Sequence, residues 1–125
     1  MNNLTQNSVK PVNFGKLWET SGGKKKMLLS MLRSIEDGLI EYPLQIENAF
    51  NKKQYDELKN TSHKCRSCTN YLYHDELTLL LESLEADGKK KNINAETSQN
   101  IERLKVITST ILPGVQQHLQ HLEKL

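Results

Sequence analysis

The sequence has few of the residues that mark secreted, disulfide-stapled or membrane-spanning proteins. Its 125 residues include only two cysteines, which lie three positions apart and so cannot join distant segments. No apolar run approaches the roughly 20 residues that a membrane span requires. The first ten residues, MNNLTQNSVK, lack the apolar region of a secretory signal. We therefore expect a cytoplasmic protein with reduced cysteines and no membrane association.

The charge balance is also too weak to indicate nucleic-acid binding. The formal net charge is +2, and the lysines form only two short runs, at residues 24–26 and 89–91, beside glycines. Such runs are typical of solvated turns and helix ends. There is also no P-loop and no glycine-rich nucleotide motif, so we expect the chain neither to bind nor to hydrolyse ATP by itself.

The spacing of apolar residues is helical almost throughout. It predicts a flexible polar lead over residues 1–11, followed by helical segments at about 13–20, 24–50, 56–72, 75–87 and 94–122. Gly22 and Gly23 are expected to end the first helix, and Gly88 with its lysines to end the fourth. A kink or a break is expected at Pro43, and a kink at Pro113. These features predict an all-α domain over residues 12–125, an up-and-down four-helix bundle with a short additional N-terminal helix.

The third helix places a histidine opposite its apolar stripe. That stripe consists of Leu58, Thr61, Cys65, Cys68, Thr69 and Leu72, spaced by three and four residues. At about 100° per residue, His63 lies on the far side. Lys59, Arg66, Ser67 and Asn70 lie around it. An exposed histidine beside cations contributes little to a core but suits attack on an anionic group, so the pattern favours a phosphoryl-accepting histidine.

This segment resembles the histidine-containing phosphotransfer (HPt) domains of bacterial and fungal phosphorelays. In their signature a basic residue lies three positions after the histidine, and leucines lie nine and fourteen positions after it. Here those positions hold Arg66, Leu72 and Leu77. The run Leu80, Leu81, Leu84, Glu85 and the segment LWETSGG at residues 17–23 are similar to neighbouring parts of the family. The chain departs from the pattern at Ser67 and Tyr73, where the family has glycine, and at His74, where it has a small residue.

The resemblance implies a phosphocarrier and not an enzyme with its own nucleotide or metal site. His63 would attack through Nε2. The cations Lys59, Lys64 and Arg66 would hold phosphoryl oxygens or steer a partner. Ser67 would limit how closely the partner approaches the histidine. The partners would be response-regulator receiver domains and a sensor histidine kinase. The receiver would supply the phospho-accepting aspartate and Mg²⁺, so no cofactor is expected on this chain. We expect a monomer.

Three other interpretations compete with the phosphocarrier. His63, Cys65, Cys68 and His74 form a ligand-rich group, but His63 and Cys65 are about 160° apart on a helix, which disfavours one metal ion. A redox role for Cys65 and Cys68 lacks the strand-to-helix context of thioredoxin-like sites. The main rival is a helical interaction module that binds a receiver or another partner without phosphotransfer.

The remaining candidate residues are assigned structural roles. Phe14 and Trp18 are expected to be core contacts of the first helix, and His118 and His121 to serve the dipole of the last helix or nothing specific. Met27 and Met31 fit either the core or a partner surface.

Overall fold

The computed structural model describes residues 9–125, and its regular structure there is helical. Five α-helices follow one another along the chain. They are α1 Phe14–Thr20, α2 Lys25–Asn51, α3 Tyr55–Thr69, α4 Asp75–Lys90 and α5 Ala95–Glu123. A 3₁₀ turn, Asn70–Leu72, follows α3. The observed helix therefore begins one residue before the predicted start, and the last three residues of the predicted helix form the tighter 3₁₀ turn. The all-α prediction is confirmed.

The core lies between the four long helices, where each helix contributes the apolar stripe that its sequence predicts. Helix α2 packs against α3 and α5, and α4 packs against α3 and α5. The short α1 packs against the 3₁₀ turn and buries Leu17. The fully buried large side chains include Leu28, Leu32, Ile46, Leu58, Leu77, Leu81, Leu84, Leu104 and Ile107. Burial of large aliphatic side chains at about 1.5–3 kcal/mol each is the main favourable contribution to folding.

Caps at three helix starts explain the observed boundaries. The side-chain oxygen of Asn13 accepts from the Lys16 amide at 3.3 Å, and Asn94 accepts from two amides at the start of α5. His74 caps α4, since its Nδ1 accepts from the Leu77 amide at 3.2 Å. The N-cap of α4 is therefore His74, and Asp75 is the first residue of the helix.

Gly88 departs from expectation, whereas both internal prolines lie within continuous helices. Gly88 was expected to end the fourth helix, but it is buried inside α4, which ends at Lys90 with Lys91 in the left-handed region. The expectation was wrong because this glycine provides space for a neighbouring helix. Helix α2 continues through Pro43, so the chain does not break there, and α5 continues through Pro113.

Of the two aromatic residues of α1 that were expected to contact the core, Phe14 packs against it and Trp18 does not. Trp18 is 43% exposed and so is not a core residue, whereas its neighbour Leu17 is fully buried. Phe14 is half-buried, and its ring stacks on His118 at a centroid distance of 4.4 Å. His118 therefore has a specific contact that the sequence did not indicate.

Residues 1–8 of the predicted lead lie outside the described residues. Val9 and Val12 pack against the core, and the Lys10 carbonyl accepts from His74 at 3.0 Å. No helix within residues 9–125 is long and apolar enough to cross a membrane.

Candidate functional site

A close contact between α3 and α4 sets the geometry around His63. A Cβ placed on Gly88 would lie 2.6 Å from the backbone nitrogen of Lys59, so only glycine allows the helices to approach this closely here. Ser62 is also fully buried, and its small side chain adds little bulk to α3 beside His63. One turn from Lys59 along α3 lies His63, and one turn from Gly88 back along α4 lies Glu85.

His63, Glu85 and Arg66 form a three-membered cluster at this position. Nδ1 of His63 lies 3.2 Å from Oε2 of Glu85. The other carboxylate oxygen of Glu85 accepts from the Arg66 guanidinium at 2.8 Å. The side chain of His63 is 57% exposed, as its helical position predicts, whereas those of Glu85 and Arg66 are about one quarter exposed.

The carboxylate fixes the tautomer of the His63 ring. Arg66 also lies 3.3 Å from Nδ1, but Nδ1 cannot accept from Arg66 and donate to Glu85 at once. A carboxylate only accepts, and the guanidinium already donates to it at the shorter distance. We therefore assign the hydrogen to Nδ1, which leaves a lone pair on Nε2. None of the described residues bonds to Nε2.

The charge on Glu85 is stabilised by its two neighbours. Burial would by itself raise the pKa of Glu85. The hydrogen bond and charge of Arg66, together with the contact from His63, outweigh that effect and hold the pKa below its ordinary value. Glu85 is therefore ionised near neutral pH and is the natural acceptor for the His63 ring hydrogen.

The other predicted site residues are distributed on both sides of His63. Lys59 is half-buried, and its backbone lies against Gly88. Lys64 and Ser67 are exposed and line a groove between α3 and α2, about 100° and 40° around the helix from His63. Asn70 is exposed at the start of the 3₁₀ turn. Only Arg66 among the predicted cations contacts His63, and its charge is paired with Glu85.

The groove between α2 and α3 has a volume of about 410 Å³ and a mixed lining. Met31, Ile35 and Tyr42 supply apolar surface, and Lys64 and Ser67 supply polar groups. Ser67 follows His63 by one helical turn, so the groove opens beside the histidine.

No model of a protein family, no curated protein and no solved structure matches this chain. The site geometry and the sequence pattern therefore carry the functional argument.

The residues of the metal interpretation point in different directions. His63 faces solvent, Cys65 is in the core, and buried His74 caps α4. Within residues 9–125 no group of three or more histidine, cysteine or acidic side chains is placed to hold a metal ion. Burial and the nearby Cys68 raise the pKa of Cys65 to about 12, so this thiol stays protonated and unreactive.

Glu85 is the site residue that sequence reasoning missed as a partner of His63. Its contact depends on how α3 and α4 are aligned, which the apolar stripes do not specify. One signal was present: Gly88 interrupts an otherwise leucine-rich helical pattern, and an internal glycine often marks a close backbone approach.

Proposed function

We propose that this chain is a cytoplasmic phosphocarrier, in which His63 accepts a phosphoryl group from a phospho-aspartyl receiver or histidine kinase and passes it to another receiver. The observation that carries the proposal is the contact of His63 Nδ1 with Glu85 Oε2 at 3.2 Å. It keeps the hydrogen on one ring nitrogen and leaves the other as an exposed nucleophile. A histidine with a purely structural role would not need both a fixed ring hydrogen and an exposed ring nitrogen.

The transfer step follows from this arrangement. The lone pair of Nε2 attacks the phosphorus of the acyl phosphate, the bond from phosphorus to the aspartyl oxygen breaks, and the aspartate carboxylate leaves with that electron pair. The ring becomes cationic, and its Nδ1 hydrogen remains paired with Glu85. The reverse sequence returns the group to an aspartate. Mg²⁺ would be held by the receiver.

The surroundings of His63 support docking of a receiver. Ser67 is small and exposed one turn away, and the groove beside it offers apolar surface bordered by Lys64. An acidic phosphorylation pocket would be attracted by such a cation. Tyr73, at a family glycine position, adopts a left-handed conformation with φ 53°, which glycine adopts most easily. The left-handed backbone at Tyr73 is thus a local reason for the family to prefer glycine at this position.

The helix contacts also support the finer architecture that the resemblance implies. We propose that α2, α3, α4 and α5 run alternately up and down, since each packs against the helix that precedes or follows it and α2 packs against α5. In that arrangement the face of α3 that carries the exposed His63 points away from the core.

A phosphotransfer assay tests the proposal. The purified chain is incubated with phosphorylated receivers and Mg²⁺, and its intact mass is measured at neutral and acidic pH. We expect one acid-labile phosphate on the wild type and none on His63→Gln. His121→Gln is the matched control, since it makes the same change at another exposed helical histidine and should leave transfer intact.

The rival interaction module makes a different prediction for the same variants. It would bind a receiver without acquiring phosphate, and His63→Gln would leave that binding unchanged. The pairing of Arg66 with Glu85 favours this rival, because it leaves less free positive charge for phosphoryl oxygens. Binding without phosphate uptake from any receiver would reject the phosphocarrier.

A further inference from the structure

The contact between His63 and Glu85 also affects the step in which a phosphoryl group leaves the ring. Once Nε2 is bonded to phosphorus, the ring is cationic for as long as Nδ1 keeps its hydrogen. Oε2 of Glu85 lies 3.2 Å from Nδ1 and can only accept, so it stabilises this cationic form. None of the described residues bonds to Nε2, and the side chain of His63 is exposed. A phosphoryl group on Nε2 therefore leaves the contact with Glu85 in place.

The hydrogen on Nδ1 decides how good a leaving group the ring is. When the bond from Nε2 to phosphorus breaks, its electron pair stays on Nε2 and the phosphoryl group bonds to an oxygen of the acceptor. A ring that keeps the Nδ1 hydrogen leaves as neutral imidazole. A ring that has lost this hydrogen leaves as the imidazolate anion, a far stronger base and a poor leaving group. Transfer is therefore fast only from the ring that is protonated on Nδ1.

Two charged groups contact the ring of His63, and they act on it in opposite directions. Glu85 of α4 attracts the hydrogen on Nδ1. Burial alone would raise the pKa of Glu85, but the hydrogen bond and charge of Arg66 outweigh burial and keep the carboxylate ionised near neutral pH. Arg66 of α3 lies 3.3 Å from Nδ1 and opposes a positive ring, but its charge is paired with Glu85 at 2.8 Å. The carboxylate is therefore the dominant neighbour of Nδ1.

The more distant charges act on the ring through solvent. Helix α2 also packs against α3, and none of its charged side chains within residues 9–125 pairs with His63. The other charged side chains within about one turn of His63 or Glu85 are exposed or half-buried and do not contact the ring: Lys59, Lys64, Glu82 and Lys89.

We propose that Glu85 keeps the phosphorylated ring of His63 protonated on Nδ1, so that the chain passes phosphate on quickly and does not store it. Because the group enters and leaves through His63 only in a phosphocarrier, this role of Glu85 rests on the proposed function. The hydrogen on Nδ1 is present below the midpoint of the ring titration and is lost as the pH rises through it. A neighbouring carboxylate moves that midpoint to higher pH.

Phosphoramidate, a small phosphoryl donor, tests this role without a receiver. The purified chain is phosphorylated with it, and the signals that His63→Gln lacks are followed from about pH 5 to about pH 9, around the ordinary histidine value of about 6.5. Nitrogen NMR reports the hydrogen on Nδ1, and phosphorus NMR reports the loss of phosphate to water. We expect wild-type Nδ1 to keep its hydrogen to a pH about one unit higher than in Glu85→Gln. Between the two midpoints, the wild type should lose phosphate up to about tenfold faster.

Two further variants separate the carboxylate from its neighbours. Glu82→Gln removes an exposed negative charge one turn earlier on α4 and should behave as the wild type. Glu85→Gln also frees the charge of Arg66, which opposes a positive ring. The double variant Glu85→Gln, Arg66→Gln removes that charge too, and it should still lose the Nδ1 hydrogen at a lower pH than the wild type.

The possible outcomes distinguish the role of Glu85 from the proposed function. The role of Glu85 is overturned if the wild type and the double variant lose the Nδ1 hydrogen at the same pH. It is also overturned if phosphate loss does not follow the protonated fraction of the ring. Failure of His63 to take up phosphate from phosphoramidate would reject both the role of Glu85 and the phosphocarrier. A midpoint that depends on Glu85, without phosphate exchange with any receiver, would reject the phosphocarrier alone.

Discussion

Gly88 of α4 lies directly against the backbone of Lys59 in α3, and this contact fixes where the two helices cross. A Cβ at position 88 would also lie 2.8 Å from the Tyr55 carbonyl oxygen. Neither neighbour is the end of a flexible side chain, so the helices would have to separate to make room. Because His63 and Glu85 lie one turn away on the same two helices, their separation depends on this contact.

Gly88→Ala is expected to destabilise the protein by about 1–3 kcal/mol, the usual cost of overpacking a tight contact. Gly114→Ala is the control, since this glycine is also inside a helix but has nothing within 4 Å of its Cβ position. That change should stabilise the protein by about 0.5–1 kcal/mol through helix propensity alone. Denaturant unfolding of both variants measures the difference. A stabilising effect of Gly88→Ala would show that α3 and α4 do not approach closely.

The sequence predicted the helices well because their apolar stripes repeat with the helical period. The apolar stripe of α5, for example, is buried at Ile101, Leu104, Ile107, Ile111, Val115, Leu119 and Leu122. The exposure of His63 followed from the same geometry. Glu85 and the stacking of His118 on Phe14 were not predictable in this way, because both join segments that are distant in sequence. Such contacts depend on the relative rotation and shift of packed helices.

The two cysteines are expected to react slowly in the native protein. Burial raises the pKa of Cys65 to about 12, and burial also raises that of Cys68, whose thiol donates to the Ser34 carbonyl. Iodoacetamide at about pH 8 should therefore modify half-buried Cys68 slowly and Cys65 more slowly still, with both reacting rapidly in denaturant. Mass spectrometry of timed samples measures the rates. Rapid native modification of Cys65 would contradict its position in the core and revive a redox role.

Acid should weaken the connection between α4 and α5. Two hydrogen bonds from Arg103, at 2.6 and 2.9 Å, hold the pKa of Glu76 below its ordinary value of about 4.5. Its contribution to stability is therefore present above that value and is lost as the pH falls through the lowered pKa. Glu76→Gln should reduce the loss of unfolding free energy between about pH 5 and pH 3. The exposed Glu19, changed to Gln, should leave the profile as in the wild type. Equal slopes for Glu76→Gln and wild type would show that the ion pair contributes nothing to acid stability.

Glu85→Gln separates the role of the carboxylate from that of the histidine. Glutamine can accept from Nδ1 or donate to it, so the ring would populate both tautomers, and in one of them Nε2 carries the hydrogen and cannot attack. We expect phosphoryl transfer to slow by roughly tenfold to a hundredfold, the scale of a group that orients a reactive histidine. Nitrogen NMR shifts of the His63 ring should show the mixture of tautomers directly. Glu82→Gln, an exposed change on the same helix, should alter neither the rate nor the shifts. An unchanged tautomer and rate in Glu85→Gln would mean that His63 keeps its ring hydrogen on Nδ1 without the carboxylate. The short contact would then serve only to pair Glu85 with Arg66.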